Sequence, residues 1–368
     1  MTERNVFVQR GAIVFGALLL GACVVLPSGP SVMVLPGSGH NMESFRGDDM
    51  YCREYAHIQQ LHLVGDAEKI QSELHRLGCS DPRAHVVHCS QVVEMSDAAT
   101  DALRRKRDSS ISRAVELAKA GAADAIVSAG HTGAAVAAAH VKLRTLAGIE
   151  RPAIGAIIPT ETNYFVLIDA GANTSPTPKQ LVQNAIMGAA YSRYVLGYAN
   201  PTIGLMSIGT EDEKGNDFTR ETFDLLKNAG LNFRGNVEGH DLFENPVEVV
   251  VCDGFLGNVL LKSMEATANA IFHWLKSELM LTPVRKFGAW LARDAFRTIK
   301  KKTNPEEYGG MPLLGIDGIC IIAHGGSSAI AIKNAIRVGA ESVSNQVNPH
   351  ILEEVIRYNA LTNSPTAS

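Results

Sequence analysis

The sequence predicts an α/β fold, a mostly parallel sheet with helices covering both of its faces. One local grammar recurs five times: an apolar strand, a glycine-bearing loop, then a helix. The strands are continuous apolar runs without the alternation of a half-exposed sheet, the pattern of strands buried on both sides. The composition is globular: 46% hydrophobic and 20% charged over 368 residues. That excludes a wholly disordered chain, a coiled coil and a collagen-like fibre, and the length suffices for a large core.

The first 57 residues do not share this grammar. Arg4 and Arg10 precede an uncharged apolar stretch, residues 11–22 (GAIVFGALLLGA), which ends at Cys23. Charge, length and the position of Cys23 predict a lipoprotein-type secretory signal; a buried strand or helix is the plainer alternative. Residues 27–39 hold three Pro and three Gly, which is linker chemistry. Residues 1–57 are therefore expected to be poorly ordered and separate from a domain spanning 58–368.

From about Ile58 the stretch QLHLVGDAEKIQSELHRLG gives an apolar run, a Gly65-Asp66 turn, and helical spacing at Ile70, Leu74 and Leu77. The five repeated units follow. Residues 125–143 run from a strand through Gly130-His131-Thr132-Gly133 into an Ala-rich helix. Residues 165–194 have a strand ending at Asp169, then a loop through Gly171 and Asn173. Residues 203–230 carry Lys214 and Gly215 in a long loop. Residues 247–275 pass through Asp253-Gly254 to a helix opened by Gly257-Asn258. Residues 318–336 pass through His324-Gly325-Gly326-Ser327-Ser328.

Loops at the carboxyl ends of parallel strands form the ligand crevice of open α/β sheets. Glycine-rich loops that lead into helix N-termini bind anions, because free N–H groups and the positive helix end converge there. Five such loops favour a phosphate-type ligand. No strand is followed by GxGxxG or GxxxxGK[ST], which disfavours dinucleotide binding and P-loop hydrolysis. GxSxG, HExxH and CxxC are also absent. Six cysteines in so long a chain make no disulfide scaffold, so the main body reads as cytosolic. Cys252 and Cys320 lie inside strands as core residues. His85 and His88 beside Cys89 lack a second ligand cluster, so no metal is expected. A net charge of -4 gives no reason to expect nucleic acid.

The polar candidates are His131, Thr132, Asp169, Asn173, Lys214, Asp253, Asn258, Lys262, His324 and Ser327. Lys262 follows Asn258 by four residues, so the two share a helix face; a solvated surface Lys is the plainer reading. His324 directly follows the strand ICIIA and suits acid–base work or phosphate donation; a core His satisfied by backbone is its alternative. Asp169 and Asp253 either orient a partner or cap the next helix.

Residues 258–302 predict a helical hairpin. Its first helix stops near Pro283, and its second, 284–302, carries seven Lys/Arg against one Asp. Phe287 and Trp290 lie among the apolar residues, Arg293 and Arg297 among the basic ones. This basic amphipathic helix suits a membrane surface, an acidic carrier protein or a dimer contact.

Seven ordered blocks in residues 58–340 resemble the PlsX-type phosphate acyltransferases of bacterial phospholipid synthesis: ALRRKRDSSISRAVELAKAGAADAIVSAGHTGA, IDAGAN, IGTEDEKGND, NVEGHDLF, VVVCDGFLGNVLLK, YGGMPLLGIDG and IIAHGGSSAIAIKNAI. The resemblance implies a three-layer α/β sandwich related to phosphotransacetylases. It implies acyl transfer from acyl-[acyl carrier protein] to inorganic phosphate, without a cofactor. It also implies a cytoplasmic homodimer, peripheral on the inner membrane face, that supplies a downstream acyl-phosphate-using acyltransferase. Two departures stand out. The family's opening strand and DAMGGD loop have no counterpart by sequence, and His131 stands where the family usually has Asn. On this reading phosphate sits after Gly130 and Gly325 beside His131, Thr132, Gly133, Asp169, Asp253 and Ser327, held by Lys214 or Lys262. Asn173 and Asn258 stabilise the oxyanion, and His324 or Lys214 balances the proton. The alternatives are a phosphotransacetylase-like enzyme using acyl-CoA and an inactive membrane-associated relative.

Overall fold

The computed structural model describes residues 12–16, 60–244 and 247–363. Among the described residues eleven strands form one sheet: β1 (Ala12–Gly16), β2 (Gln60–Gly65), β3 (Ala84–His88), β4 (Ala125–Ser128), β5 (Ala153–Pro159), β6 (Tyr164–Ile168), β7 (Ile203–Met206), β8 (Phe233–Val237), β9 (Val249–Val251), β10 (Met311–Leu314) and β11 (Ile319–Ile322). Their order is β3-β2-β1-β4-β11-β10-β5-β6-β9-β7-β8.

Every neighbouring pair is parallel except β11–β10, β10–β5 and β5–β6. The sheet therefore holds two parallel groups, β3-β2-β1-β4-β11 and β6-β9-β7-β8, that run in opposite directions. Register places their carboxyl ends together. Ile322 pairs with Met311, and Leu313 with Ile154. Ile168 pairs with Gly155. Counting along β10 and β5 puts Ile168 within one residue of the height of Ile322. Ser128 is level with Ile322, and Val251 with Ile168. Both groups thus end at one height, three strand spacings apart, or about 14 Å. The sheet is mostly parallel, as expected from sequence, and its carboxyl-end loops fall into two opposed sets.

Alternate strand residues face opposite helical layers, which is why the strands read as unbroken apolar runs. On one face, Val64, Ile126, Ile322, Leu167 and Val250 join a core with residues of α2 (Ala99–Arg105), α3 (Ser110–Lys119), α4 (Thr132–Lys142) and the first turns of α8 (Gly254–Leu279). On the other face, Ile168, Leu205 and Val249 pack against α5 (Pro178–Tyr194), α6 (Asp217–Lys227) and α12 (Val347–Asn363). Leu61, Val127 and Ile321 pack there against α11 (Ala329–Ser344). The helices start where side chains can satisfy their first N–H groups: Asp66 caps α1 (Ala67–Arg76), Ser109 caps α3, and Thr177 with Gln180 forms a capping box on α5.

Five residues of the segment read as a signal core, Ala12–Gly16, form β1. It pairs in parallel with β2 on one side and β4 on the other. The remainder of 1–57, including Cys23, lies outside the described residues.

The hairpin is present but is built differently from the expectation. The second helix, read as continuous over 284–302, is two helices: α9 (Pro283–Leu291) and α10 (Arg293–Thr303), broken at Ala292 with φ -88° and ψ 6°. Neither Pro nor Gly stands at 292, so local propensity gives no sign of the bend. The chain turns there and returns to the body, where the Lys302 ammonium donates to the Glu161 carbonyl. Among the described residues no helix is long and apolar enough to cross a membrane.

Candidate active site

At the end of β4 and β11 two loops meet. The Ala323 N–H donates to the Ser128 carbonyl at 2.8 Å, and Gly325 lies against the Ala129 carbonyl. Helices α4 and α11 both begin at this corner, which directs their first-turn N–H groups toward it. His131 is the N-cap of α4. Its Nδ1 accepts from the Ala134 N–H at 3.1 Å, so the ring proton is on Nε2, which donates to the Asp97 carbonyl at 3.0 Å. Both nitrogens are thus occupied in building the corner. His324 differs. Its Nδ1 accepts from the Gly326 N–H at 3.1 Å, which leaves an Nε2–H on an exposed side chain. Ser327 N–H donates to the His324 carbonyl, and Ser328 caps α11 while bonding to Glu306.

A second corner forms at the ends of β6 and β9. Asp169 is fully buried, and its carboxylate accepts from the N–H groups of Ile154, Gly171, Ala172 and Asn173 at 2.6–3.1 Å. Burial pushes its carboxyl up from the usual range, and the four N–H groups pull the other way. Its oxygens shape the loop that presents Asn173. Asp253 caps α8, accepting from Phe255 and Leu256 N–H at 2.9 Å. Asn173 is half-buried and donates to Gln180 Oε1 at 3.1 Å. Asn258 lies on exposed α8 against Gly171. Lys262, one turn on, is exposed and pairs with Glu265 at 3.0 Å.

Two glycines make this corner possible. A Cβ on Gly257 would sit 1.9 Å from the Asp169 carbonyl oxygen, and one on Gly254 would sit 2.7 Å from that of Asn173. The sequence offers these as helix-opening glycines; the structure uses them for close approach of α8 to the Asp169 loop.

Lys214 lies apart, on the loop after β7, exposed and 3.9 Å from Glu211. The structure therefore brings Gly130, His131, Thr132, Gly133, His324, Gly325 and Ser327 into one corner. Asp169, Asn173, Asp253, Asn258 and Lys262 make up the other. Sequence reasoning passed over Ser128 and Ser207, whose buried hydroxyls have no hydrogen-bond partner among the described residues. A Ser that ends an apolar run carries no local signal of that kind. The Cys252 and Cys320 thiols are buried and pushed up, that of Cys320 to about 12, so neither offers a thiolate.

Residues 50–350 match the family described as fatty acid synthesis proteins. A phosphate acyltransferase of Akkermansia muciniphila is 48% identical over 311 residues, covering 83% of this chain and 89% of that protein. One from Geotalea daltonii is 50% identical over 293 residues, covering 80% and 85%. The chain belongs to the phosphate acyltransferase family. It is an acyltransferase by that membership, and the two corners are its candidate catalytic surfaces. Solved phosphotransacetylases share the fold. The enzyme from Streptococcus pyogenes superposes with a TM-score of 0.55 at 17% identity, covering 91% of this chain and 94% of that one. EutD phosphotransacetylase from Staphylococcus aureus gives 0.51 at 14% identity, with the same coverage.

Proposed function

We propose that this phosphate acyltransferase moves a fatty acyl group from acyl carrier protein to inorganic phosphate, giving an acyl phosphate for phospholipid synthesis. The observation that carries the reading is that two loop corners open at one height of the sheet, three strand spacings or about 14 Å apart. One has two helix N-termini and a spare imidazole N–H; the other has an Asn pair and a Lys. Phosphate takes the first corner, held by N–H groups and His324. The thioester takes the second, near Asn173 and Asn258. A phosphate oxygen bonds to the carbonyl carbon, the tetrahedral oxyanion is stabilised by amide donors, and the C–S bond breaks. The proton of hydrogen phosphate ends on the carrier thiol, so charge and atoms balance. Lys262 contributes positive charge to the second corner, and Lys214 approaches only from its own loop.

The exposed hairpin supports attachment to the inner face of the membrane from the cytoplasm, with Phe287, Trp290, Arg293 and Arg297 as contacts. A homodimer and a downstream acyl-phosphate-using acyltransferase complete this reading. The test is an assay of the purified chain with acyl carrier protein or coenzyme A as the acyl donor, with and without phosphate. Phosphate-dependent acyl phosphate from the carrier-protein thioester is expected. Preference for the coenzyme A thioester would transfer the assignment to phosphotransacetylase chemistry, and no product from either would leave a non-catalytic relative.

A further inference from the structure

We propose that Glu238, His240 and Asp241, at the carboxyl end of β8, form a site for a divalent metal ion of the zinc class. One His240 nitrogen and one oxygen of each carboxylate lie within 4.8 Å of one another. His240 Nδ1 is 3.7 Å from Glu238 Oε2, and Nε2 is 3.4 Å from Asp241 Oδ1. Tetrahedral zinc with bonds near 2.1 Å sets its ligands about 3.4 Å apart. These two contacts use opposite ring nitrogens and an ion takes one, so the imidazole must turn to bring one nitrogen toward both carboxylates, and His240, with 63% of its side chain exposed, has room to turn.

The donor set selects the metal. One imidazole with two carboxylates suits zinc, cobalt or manganese, whereas calcium and magnesium prefer oxygen alone. The two carboxylates neutralise the ion, and three protein ligands leave a position for water, as in open zinc sites. Asp241 is already oriented: its Oδ2 accepts from the Glu238 N–H at 2.9 Å, which leaves Oδ1 toward the imidazole.

A separate observation marks this end of the sheet as unusually polar. The Asn236 Oδ1 and Ser207 Oγ are buried without a hydrogen-bond partner among the described residues. Asn236 is 6% exposed, and its Nδ2 donates to the Glu211 carbonyl at 2.7 Å. Ser207 N–H donates to the Val237 carbonyl at 2.9 Å. β8, whose carboxyl end leads into the trio, is thus bonded through Asn236 to the loop that carries Lys214.

The experiment uses the full chain, stripped with EDTA and titrated with zinc chloride by calorimetry. Cobalt chloride serves as a spectroscopic probe of coordination. One tight equivalent is expected, with cobalt bands of a four- or five-coordinate site. His240→Ala and Glu238→Gln should each weaken zinc binding by roughly a hundredfold or more, given that even outer-shell changes cost 10–100-fold. The paired rings of His62 and His85, 5.5 Å apart, are the rival chelator, and His85→Ala should leave the tight equivalent unchanged. The proposal is overturned by absence of zinc binding at tens of micromolar. It is equally overturned if His240→Ala and Glu238→Gln bind like the unaltered chain, or if His85→Ala abolishes binding.

Discussion

Asp169 and Asp253 both end apolar strands, yet they act on the backbone in different ways. Asp253 caps the helix that follows it, the commoner use of such a residue. Asp169 gathers four N–H groups from two segments and so fixes the loop of Asn173 against β5. His131 and His324 divide in the same manner, one spent on structure and one left with a donor facing solvent. That division gives a residue-scale prediction. His324→Ala should lower kcat roughly a hundredfold, the range of a lost proton-transfer or anion-donor group, with little change in thermal midpoint because the side chain is exposed. His324→Gln restores an amide donor but no group that can transfer a proton, so it should recover only part of the rate. Kinetics on the three proteins decide it, and an unchanged kcat in His324→Ala would remove His324 from the chemistry.

The five strand–loop–helix elements were legible in the sequence because each carries its own signals: an apolar run, glycine, then a cap. All five are present, as β4–α4, β6–α5, β7–α6, β9–α8 and β11–α11. The mostly parallel character of the sheet was legible from these runs, but the reversal at its centre was not. A strand buried on both faces has no alternation to show which neighbours it meets, so the reversal through β10 and β5 left no local trace. For the same reason the division of the candidate residues into two corners could not be read from spacing. The bend at Ala292, after which the chain returns to Glu161, likewise has no local signal. The exposed face of the hairpin was legible, since amphipathic spacing is local. Phe287 and Trp290 are 61% and 58% exposed with their rings stacked, and the Arg293 guanidinium lies 5.7 Å from the Trp290 ring. Binding of the full chain to anionic vesicles is therefore expected. Basic residues near the surface contribute about 1 kcal/mol each and are screened by salt, whereas burial of the rings is not screened. Co-sedimentation should weaken as salt rises without vanishing, and Phe287→Ser with Trp290→Ser should remove the salt-resistant part. Equal sedimentation of both proteins would assign this face to a contact other than the membrane.

At the scale of the whole molecule the position of β1 matters most. The family's opening strand has no counterpart by sequence, and the stretch in its place reads as the core of a secretion signal. Five residues of that stretch nevertheless stand between β2 and β4, paired on both sides. An apolar run of this length satisfies either role, because a signal core and a buried parallel strand demand the same composition. The two roles exclude one another in a single molecule. Cleavage ahead of Cys23 would carry β1 away and leave β2 and β4 with unpaired ladder groups in the middle of the sheet, where each costs about the desolvation of a buried polar group, roughly 1–3 kcal/mol. Deleting residues 1–56 should therefore lower the thermal midpoint and broaden unfolding. Val14→Pro tests the same point in a chain of full length. A proline inside a strand paired on both sides removes a ladder donor and is tolerated essentially only at edges, so destabilisation of roughly 1–3 kcal/mol, the cost of a buried acceptor left unpaired, is expected. Hydrogen exchange should show the loss first in β2 and β4, the two partners of β1, and only weakly in β7 and β8 across the sheet. Unchanged midpoints and unchanged exchange in both variants would mean that residues 12–16 contribute nothing to the sheet and are free to act as a leader.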